Sequence, residues 1–344
     1  MQVCVLALDG VFDTGLATIL DTFQTANDLS RGAAPFRVSV IGLRKRAKTQ
    51  QGLQVPVRGL PRTRPDVVVV PALGAKSPEA LAPALLRRDV AEAGELLGAW
   101  ARSGTLVAAA CTGTFVLAQA GLLDGQRATT TWWLAPYFRR RFPQVELEDS
   151  RMIVAAGGLV TAGAALAHVD LALWLVRRKS PVLARTAAHF LTFDGRPSQA
   201  AYAMQDHLAH ADPLVEKFEA WARRNLSAFS LDAAARSVGT SERTLERRLQ
   251  AVLGKSPLSF VQDLRVEQAI HRLHTTAQSI EEIAGAVGYQ DGVTLRTLLR
   301  KKTGRGLREL RLAGNPSVAG RSPAAGLAAR STRAPGRQPP GTAS

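Results

Sequence analysis

The residues of this sequence that could do chemistry are centred on one cysteine. Residues 106–115 read LVAAACTGTF, an apolar run of strand type that ends at Cys111 and is followed at once by small residues that start a helix. Ala109 and Gly113 lie two positions either side of the cysteine, as a tight strand-to-helix turn requires. Such a turn exposes the sulfur at the carboxyl edge of a sheet and points a helix N-terminus at it, which lowers a thiol's pKa. The pattern predicts a nucleophile elbow at Cys111.

The composition excludes several classes of protein. Two cysteines, Cys4 and Cys111, are too few for a disulfide framework or a metal cluster, so we expect neither a metal nor another cofactor. No apolar run reaches the roughly 18 residues that a membrane span needs, so no membrane partner is expected. The N-terminus has neither a basic region nor a small-residue cleavage site, and together with the cysteine content this predicts a cytoplasmic protein.

The positive charge is concentrated toward the C-terminus. The chain of 344 residues has a net charge of +16; residues 216–312 carry 17 Lys and Arg against 11 Asp and Glu, and residues 313–344 carry four Arg and no acid. That distribution suits a polyanionic partner. An ordinary solvated basic surface is the alternative.

The elements that must position Cys111 belong to an α/β domain with a mostly parallel sheet and helices on both faces. Apolar strands alternate with helical stretches over the first 180 residues. The predicted strands are 3–8, 36–43, 67–70, 106–110 and 128–131, with a hairpin at 152–161, and the predicted helices are 15–29, 78–102 and 164–178. Ligands of such sheets bind at the carboxyl ends of the strands, where Cys111 falls.

The pattern divides the chain into four segments. We predict the α/β domain at 1–185, a linker at 186–211, an all-α domain at 212–312 and a disordered basic tail at 313–344, which is rich in Gly, Pro, Ala and Ser.

The all-α domain contains one helical unit twice, at 230–253 and 279–302. Each unit has a capped short helix, a glycine and a second capped helix. The caps and glycines are Ser230, Gly239 and Ser241 in the first unit, and Ser279, Gly288 and Asp291 in the second. One joining helix of about 27 Å, starting at Ser256, would set the two second helices about 34 Å apart, in successive major grooves of DNA.

The second helix of the first unit supplies the clearest candidate DNA contacts. Its outward residues are Arg243, Thr244, Glu246, Arg247 and Arg248. A helical interaction domain that binds no DNA is the alternative, but two tandem units with basic outward faces favour a double helix-turn-helix.

The C-terminal part resembles the AraC/XylS-type DNA-binding domain. The resemblance rests on GKSPLSFVQDLRVEQAIHRL at 254–273 and SIEEIAGAVGY at 279–289, and it covers about 212–312. It implies base-facing positions at Arg243, Glu246 and Arg247 in the first unit, and at Gly292, Val293, Arg296 and Thr297 in the second. Because Gly292 and Val293 lack donors for base edges, we expect the first unit to read sequence. The second is expected to contact phosphates through Arg296, Arg300, Lys301 and Lys302.

The N-terminal part resembles the class I glutamine amidotransferase-like superfamily, which includes PfpI-type proteases. The resemblance rests on CTGTFVLAQAGLLDGQRATTTWW at 111–133 and GGLVTAGAALAHVDLAL at 157–173. The order of the two modules resembles the GlxA family of transcriptional regulators. It implies a homodimer that binds promoter DNA and senses a small-molecule effector, with an amine or amino-acid derivative as the candidate and RNA polymerase as a further candidate partner.

The same resemblance bears on catalysis at Cys111. PfpI-type enzymes place His directly after the cysteine, where this chain has Thr112, and many GlxA-type relatives place it after the next strand, at Thr131. A cysteine hydrolase needs such a base. We therefore expect that the protein is not an enzyme and that the elbow at Cys111 is the remnant of a catalytic one. A cysteine-dependent amidase or deglycase and a thiol redox sensor, each fused to the DNA-binding domain, are the alternatives.

The effector is expected beside the cysteine. The candidate effector-binding residues are Cys111, Thr112, Asp21, Thr131, Trp132 and His168, with Asp21 in the place of the enzymes' acidic partner. Trp132 and Trp133 are expected in the core and pocket wall, or as a cage for a quaternary amine. The basic run 139–141 is interpreted as a solvated helix face.

Overall fold

The structure is a computed structural model that describes residues 1–196, 198–199 and 212–314. Its N-terminal domain is built around a six-stranded sheet in the order β2-β1-β5-β6-β10-β9, whose neighbours are parallel except for the antiparallel pair β9–β10. The strands are β1 Gln2–Leu6, β2 Arg37–Ile41, β3 Arg46–Lys48, β4 Gln54–Pro56, β5 Val67–Val70, β6 Leu106–Ala110, β7 Arg127–Ala128, β8 Glu146–Leu147, β9 Ile153–Ala156 and β10 Leu159–Ala162. The predicted mostly parallel sheet is confirmed.

Helices cover both faces of this sheet. They are α1 Asp13–Asp28, α2 Pro78–Leu85, α3 Arg88–Arg102, α4 Gly113–Gln119, α5 Ala135–Arg141, α6 Ala167–Lys179 and α7 Pro181–Phe190. Apolar side chains of α1, α6 and α7 form the core on one face, and those of α2, α3, α4 and α5 form the core on the other. Burial on both faces explains why β5 is an uninterrupted run of four valines.

Two predicted elements differ from the structure. The helix predicted at 78–102 is two helices, because Arg87 adopts extended backbone with ψ 149° and its guanidinium bonds to Asp89. The strand predicted at 128–131 pairs only as far as Ala128. Thr129 and Thr130 hydrogen-bond through their side chains to other loops instead: their hydroxyls donate to the carbonyls of Arg151 and Cys111, at 2.9 and 2.8 Å.

The C-terminal domain consists, in its described residues, of helices and the turns that connect them. Its helices are α8 Pro213–Arg224, α9 Leu231–Ser237, α10 Glu242–Leu253, α11 Pro257–Thr275, α12 Ile280–Val287, α13 Gly292–Thr303 and α14 Leu307–Gly314. The long helix α11 contributes to two apolar cores, one beneath α8–α10 and one beneath α12–α14. The predicted caps Ser230, Ser241, Ser279 and Asp291 each accept a hydrogen bond from a backbone amide of their helix, so both units are confirmed.

The predicted division into four segments stays a prediction. Helix α7 extends to Phe190, into the predicted linker at 186–211, and Gln199 is buried. Residues 197 and 200–211 of that linker, and 315–344 of the predicted tail, lie outside the described residues. None of the described helices has the length and apolar character that a membrane crossing requires.

Candidate functional site

The turn at Cys111 has the geometry of a nucleophile elbow. Cys111 has a positive φ of 55°, which few residues other than glycine adopt. Its amide donates to the Ala162 carbonyl of β10 at 2.8 Å. A Cβ at position 113 would lie 2.7 Å from the Pro71 carbonyl oxygen, so only glycine fits where α4 begins beside the end of β5. The tight strand-to-helix turn that the spacing predicts is therefore present, but the sulfur that it was expected to expose is buried.

The thiol in this elbow is not activated. Burial raises the pKa of Cys111 to about 12, although the Thr112 amide and the hydroxyls of Thr131 and Thr112 act in the opposite direction. Only 4% of the residue is exposed. Desolvation of the thiolate therefore outweighs the helix N-terminus, and the predicted lowering of the pKa is wrong.

His168 cannot act as the missing base. Its Nε2 accepts a hydrogen bond from the Ala72 amide at 3.0 Å, and its Nδ1 lies 2.6 Å from the Ala165 carbonyl oxygen, which it contacts as a donor. Burial lowers the pKa of His168 to about 4, so the ring is neutral. With both nitrogens bound to backbone, the ring supports α6 against the loop after β5, and it has neither a base nor an effector-binding role in this arrangement.

The other predicted effector residues separate into two places. Thr112 and Thr131 are buried beside Cys111, as expected. Asp21 is exposed on α1, and the α1 residue packed against His168 is Gly15, where an added Cβ would lie 2.6 Å from Nε2.

A cavity in the described part of the chain lies away from the elbow. It is a groove of about 1090 Å³ between α6, α7 and residues 192–196. Asp170 and Arg196, which form an ion pair, lie in its wall.

Trp132 lies between the two domains. It begins a 3-10 turn that leads into α5, and its side chain packs against the apolar core beneath α8–α10. The rings of Trp132 and Trp133 meet edge-on, at 83° with centroids 5.5 Å apart, which differs from the facing walls of an amine cage.

Helix α10 presents most of its predicted DNA contacts to solvent. Arg243, Glu246 and Arg247 are exposed, and in the part of the chain that the structure describes the two arginines form no ion pair. Thr244 is half-buried, and its hydroxyl lies 3.0 Å from that of Ser241, the N-cap residue.

Arg248 has a structural contact in addition to its predicted one. Its Nε donates to Asp212 Oδ2 at 2.7 Å, and the Asp212 carboxylate also caps α8. Burial raises the pKa of Asp212, but the hydrogen bonds from Arg248 and the amides of Leu214 and Val215 more than offset it and leave the pKa lowered. Arg248 thus ties α10 to the start of α8.

Helix α13 presents a different surface. Gly292 is buried, and an added Cβ there would lie 2.7 Å from Glu281 Oε1 of α12. The prediction that Gly292 faces the bases is therefore wrong. Val293 is 65% exposed, and Arg296 pairs with Glu281 at 3.0 Å. Of the residues of α13 that were predicted to contact DNA, Thr297, Arg300 and Lys301 are also exposed.

Two charged residues of α11 that the sequence analysis did not single out support both units. Asp263 accepts hydrogen bonds from Lys255 at 2.8 Å and from Lys302 at 2.7 Å. Lys302 is therefore engaged within the domain, unlike a lysine that is free to contact phosphate. Arg265 bonds to the Leu226 carbonyl. The only sequence signal for them was the presence of charges on a helix whose ends must contact two cores.

Comparison with known proteins identifies both domains. The DJ-1/PfpI family profile matches residues 1–178, and a helix-turn-helix domain profile matches residues 234–313. A solved AraC family transcriptional regulator from Pseudomonas putida aligns with a TM-score of 0.48 and 22% identity, over 55% of this chain and 98% of its own.

Curated relatives extend across both domains. The HTH-type transcriptional regulator GbdR of Pseudomonas aeruginosa is 27% identical over 290 residues, which are 83% of this chain and 77% of the relative. The HTH-type transcriptional regulator GlxA of Rhizobium meliloti is 29% identical over 55% of this chain and 59% of its own length. The chain therefore belongs to the DJ-1/PfpI family, and with its C-terminal AraC-type helix-turn-helix domain it is a GlxA-like transcriptional regulator.

Proposed function

We propose that the two recognition helices of this regulator have different tasks on promoter DNA. Helix α10 reads bases through Arg243, Glu246 and Arg247, and α13 holds the phosphate backbone through Arg300 and Lys301. Arginine pairs with the guanine edge and glutamate with the cytosine amino group, whereas lysine and arginine beside phosphates carry no sequence information.

The observation that carries this proposal is the exposed, unengaged pair Arg243 and Arg247. The two residues lie four positions apart and so share one face of α10. Their guanidinium groups form no ion pair in the described part of the chain, in contrast to Arg248 and Arg296, which are engaged by Asp212 and Glu281. An arginine without an internal partner breaks no ion pair of the protein when it turns to a base, so it loses only its hydration and side-chain freedom.

The α/β domain acts in this proposal as a sensor without catalytic activity. The neutral, buried thiol of Cys111 and the fully bonded ring of His168 support that role, because neither group is available for attack or proton transfer. The effector site beside Cys111, Thr112 and Thr131 stays a prediction. A homodimer in the cytoplasm is the expected active form, and sedimentation velocity with and without DNA measures it.

The test is a DNA-binding titration with the full chain. Duplexes that the protein retains from a random pool are compared with scrambled duplexes of equal length across 50–300 mM salt. We expect tighter binding to the retained duplexes and a logarithm of affinity that falls linearly with the logarithm of salt, by roughly 0.9 for each phosphate neutralised. Arg62→Ala, at an exposed site of the α/β domain, is the control and should change neither quantity. A salt-independent affinity, or none for duplex DNA, would remove the proposal.

A further inference from the structure

The first recognition helix is docked on the sensor domain by its C-terminal end. Helices α5 and α10 pack against one another, and Trp132, just before α5, packs against the core beneath α10. The exposed reading residues Arg243 and Arg247 lie toward the other end of α10, so this contact leaves the reading face open.

Arg139 of α5 contacts the C-terminal end of α10 directly. Its guanidinium lies on Gly254, the residue that ends α10 in left-handed backbone with φ 65°; a Cβ there would lie 2.6 Å from Arg139 Nη2. A cation at this position is favoured by the partial negative charge of a helix C-terminus. Nη2 also pairs with Asp149 at 3.0 Å, and the two side chains are only 15% and 16% exposed. The interpretation of Arg139 as part of a solvated face is therefore wrong.

The contact is linked to the elbow by a short run of buried residues. The Thr130 hydroxyl donates to the Cys111 carbonyl at 2.8 Å, and Thr131, whose hydroxyl lies against the thiol, immediately precedes Trp132. The amide of Gln199, from the segment between the domains, donates to the carbonyls of Thr130 and Asp149, at 2.7 Å each. Residues 130–132 thus contact the elbow at one end, and at the other end they contact the core beneath the recognition helix.

We infer that Arg139 is a positioning residue for DNA reading: it holds the C-terminal end of α10 against the sensor domain and so sets the orientation in which Arg243 and Arg247 meet the bases. The inference rests on the proposed reading role of α10. Because Arg139 is nearly buried, it acts through α10 and not by contacting phosphate. A movement of residues 129–134 in the sensor domain would reach the core beneath α10 through Trp132. It would reach Arg139 through Asp149, whose carbonyl shares the Gln199 amide with Thr130.

The experiment measures the affinity of the full chain for a retained duplex and for a scrambled duplex, each across a salt series. We expect Arg139→Ala to lower the affinity for the retained duplex about tenfold and to change the affinity for the scrambled duplex less than twofold. The slope of affinity against salt should stay unchanged. Arg140→Ala is the matched control, since Arg140 is the exposed neighbour on the same helix. It removes the same charge, and the ratio of the two affinities should stay at the wild-type value.

A second variant approaches the contact from the other side. Gly254→Ala places a methyl group against the guanidinium and also strains the left-handed backbone, but the strain is the same with or without Arg139. We therefore expect Gly254→Ala to lower the affinity ratio more in the wild-type background than in an Arg139→Ala background. Equal weakening of both duplexes with a smaller salt slope would make Arg139 a phosphate contact, and tighter binding would make the docked state inhibitory. An unchanged ratio would also overturn the inference. A wild type that does not discriminate between the duplexes would instead remove the proposed function.

Discussion

Arg265 donates two hydrogen bonds to one carbonyl oxygen, that of Leu226, from Nε at 3.1 Å and Nη2 at 2.7 Å. Arg265 lies on α11, which joins the two helix-turn-helix units, and Leu226 follows α8 and belongs to the core that α8 shares with the first unit. The same guanidinium lies 5.0 Å from the centre of the Tyr289 ring, in the turn of the second unit. A Cβ on Gly288 in that turn would lie 2.6 Å from the Leu226 oxygen. One arginine therefore fixes the second unit against the first.

Arg265→Ala should loosen this junction. Leaving a partly buried carbonyl unpaired costs about 1–3 kcal/mol of folding free energy, and the two recognition helices lose their fixed relative orientation. We expect the affinity for a full-length operator to fall about tenfold and that for an operator truncated to the first unit's half to change little. Arg265→Lys, which keeps the charge and one donor, is the comparison, and an equal loss on both duplexes would contradict the explanation.

The assignment of a reading and an anchoring helix makes a second prediction. Arg247→Ala should cost roughly 1–3 kcal/mol of binding free energy and relax the preference at one or two base pairs. Lys301→Ala should weaken binding to every sequence about equally and reduce the salt slope by about 1. Titrations against single-base variants of the operator measure both effects. If the two substitutions gave the same uniform loss of affinity, the assignment of a reading and an anchoring helix would be wrong.

The buried ring of His168 predicts a pH dependence of stability. Its pKa is lowered from the ordinary 6.5 to about 4, so between these values the unfolded chain binds a proton that the folded chain does not. Stability contributed by the neutral ring is therefore complete above pH 6.5 and is lost as the pH falls toward 4, by at most about 3 kcal/mol. Urea unfolding at a series of pH values measures this slope.

The matched variants for that experiment are His168→Gln and His189→Gln. A glutamine at 168 retains an acceptor for the Ala72 amide and a donor for Ala165, but it does not titrate. We expect the stability gap between wild type and His168→Gln to narrow as the pH falls from 6.5 to 4. His189 is exposed on α7, and its substitution should leave the profile as in wild type. A gap that stays constant would show that His168 does not control the slope.

Local signals predicted the parts of this protein that depend on local physics. The strands at 67–70 and 106–110 and the helix caps follow from apolar runs and from side chains that bond to the nearest amides. The thiol at Cys111 shows where such signals end. Its elbow was predictable from spacing, whereas its raised pKa depends on burial by distant loops.

The same limit applies at the two surfaces. Arg139 reads as one residue of a basic run, and only the packing of α5 on α10 gives it a partner. The family resemblance implies a base-facing position at Gly292, but in the structure Glu281 of the preceding helix lies against it. Arg243 and Arg247, which have no tertiary partner in the described residues, lie where the helical period alone places them. Sequence periodicity was thus sufficient for exposed side chains and insufficient wherever two elements meet.

The last prediction concerns the reactivity of Cys111. With a pKa of about 12, compared with about 9 for an ordinary thiol, its thiolate fraction at neutral pH is lowered about a thousandfold, and burial hinders access further. Cys4 is also buried, and its pKa is also raised by burial. We expect the folded protein to react with a thiol-specific disulfide reagent far more slowly than the unfolded protein, which should titrate two thiols.

Cys111→Ser then separates the sensor from an enzyme or a redox switch. The serine keeps a small polar group beside Thr112 and Thr131, so promoter affinity should stay within about twofold of wild type. Neither protein should turn over amide, ester or aldehyde substrates, because the thiol has no base to activate it or to protonate a leaving group. Steady-state turnover and a promoter titration with and without oxidant test this on both proteins. Turnover by the wild type that Cys111→Ser abolishes would show that the protein is an enzyme. A promoter affinity that responds to oxidant only when Cys111 is present would make the elbow a redox switch.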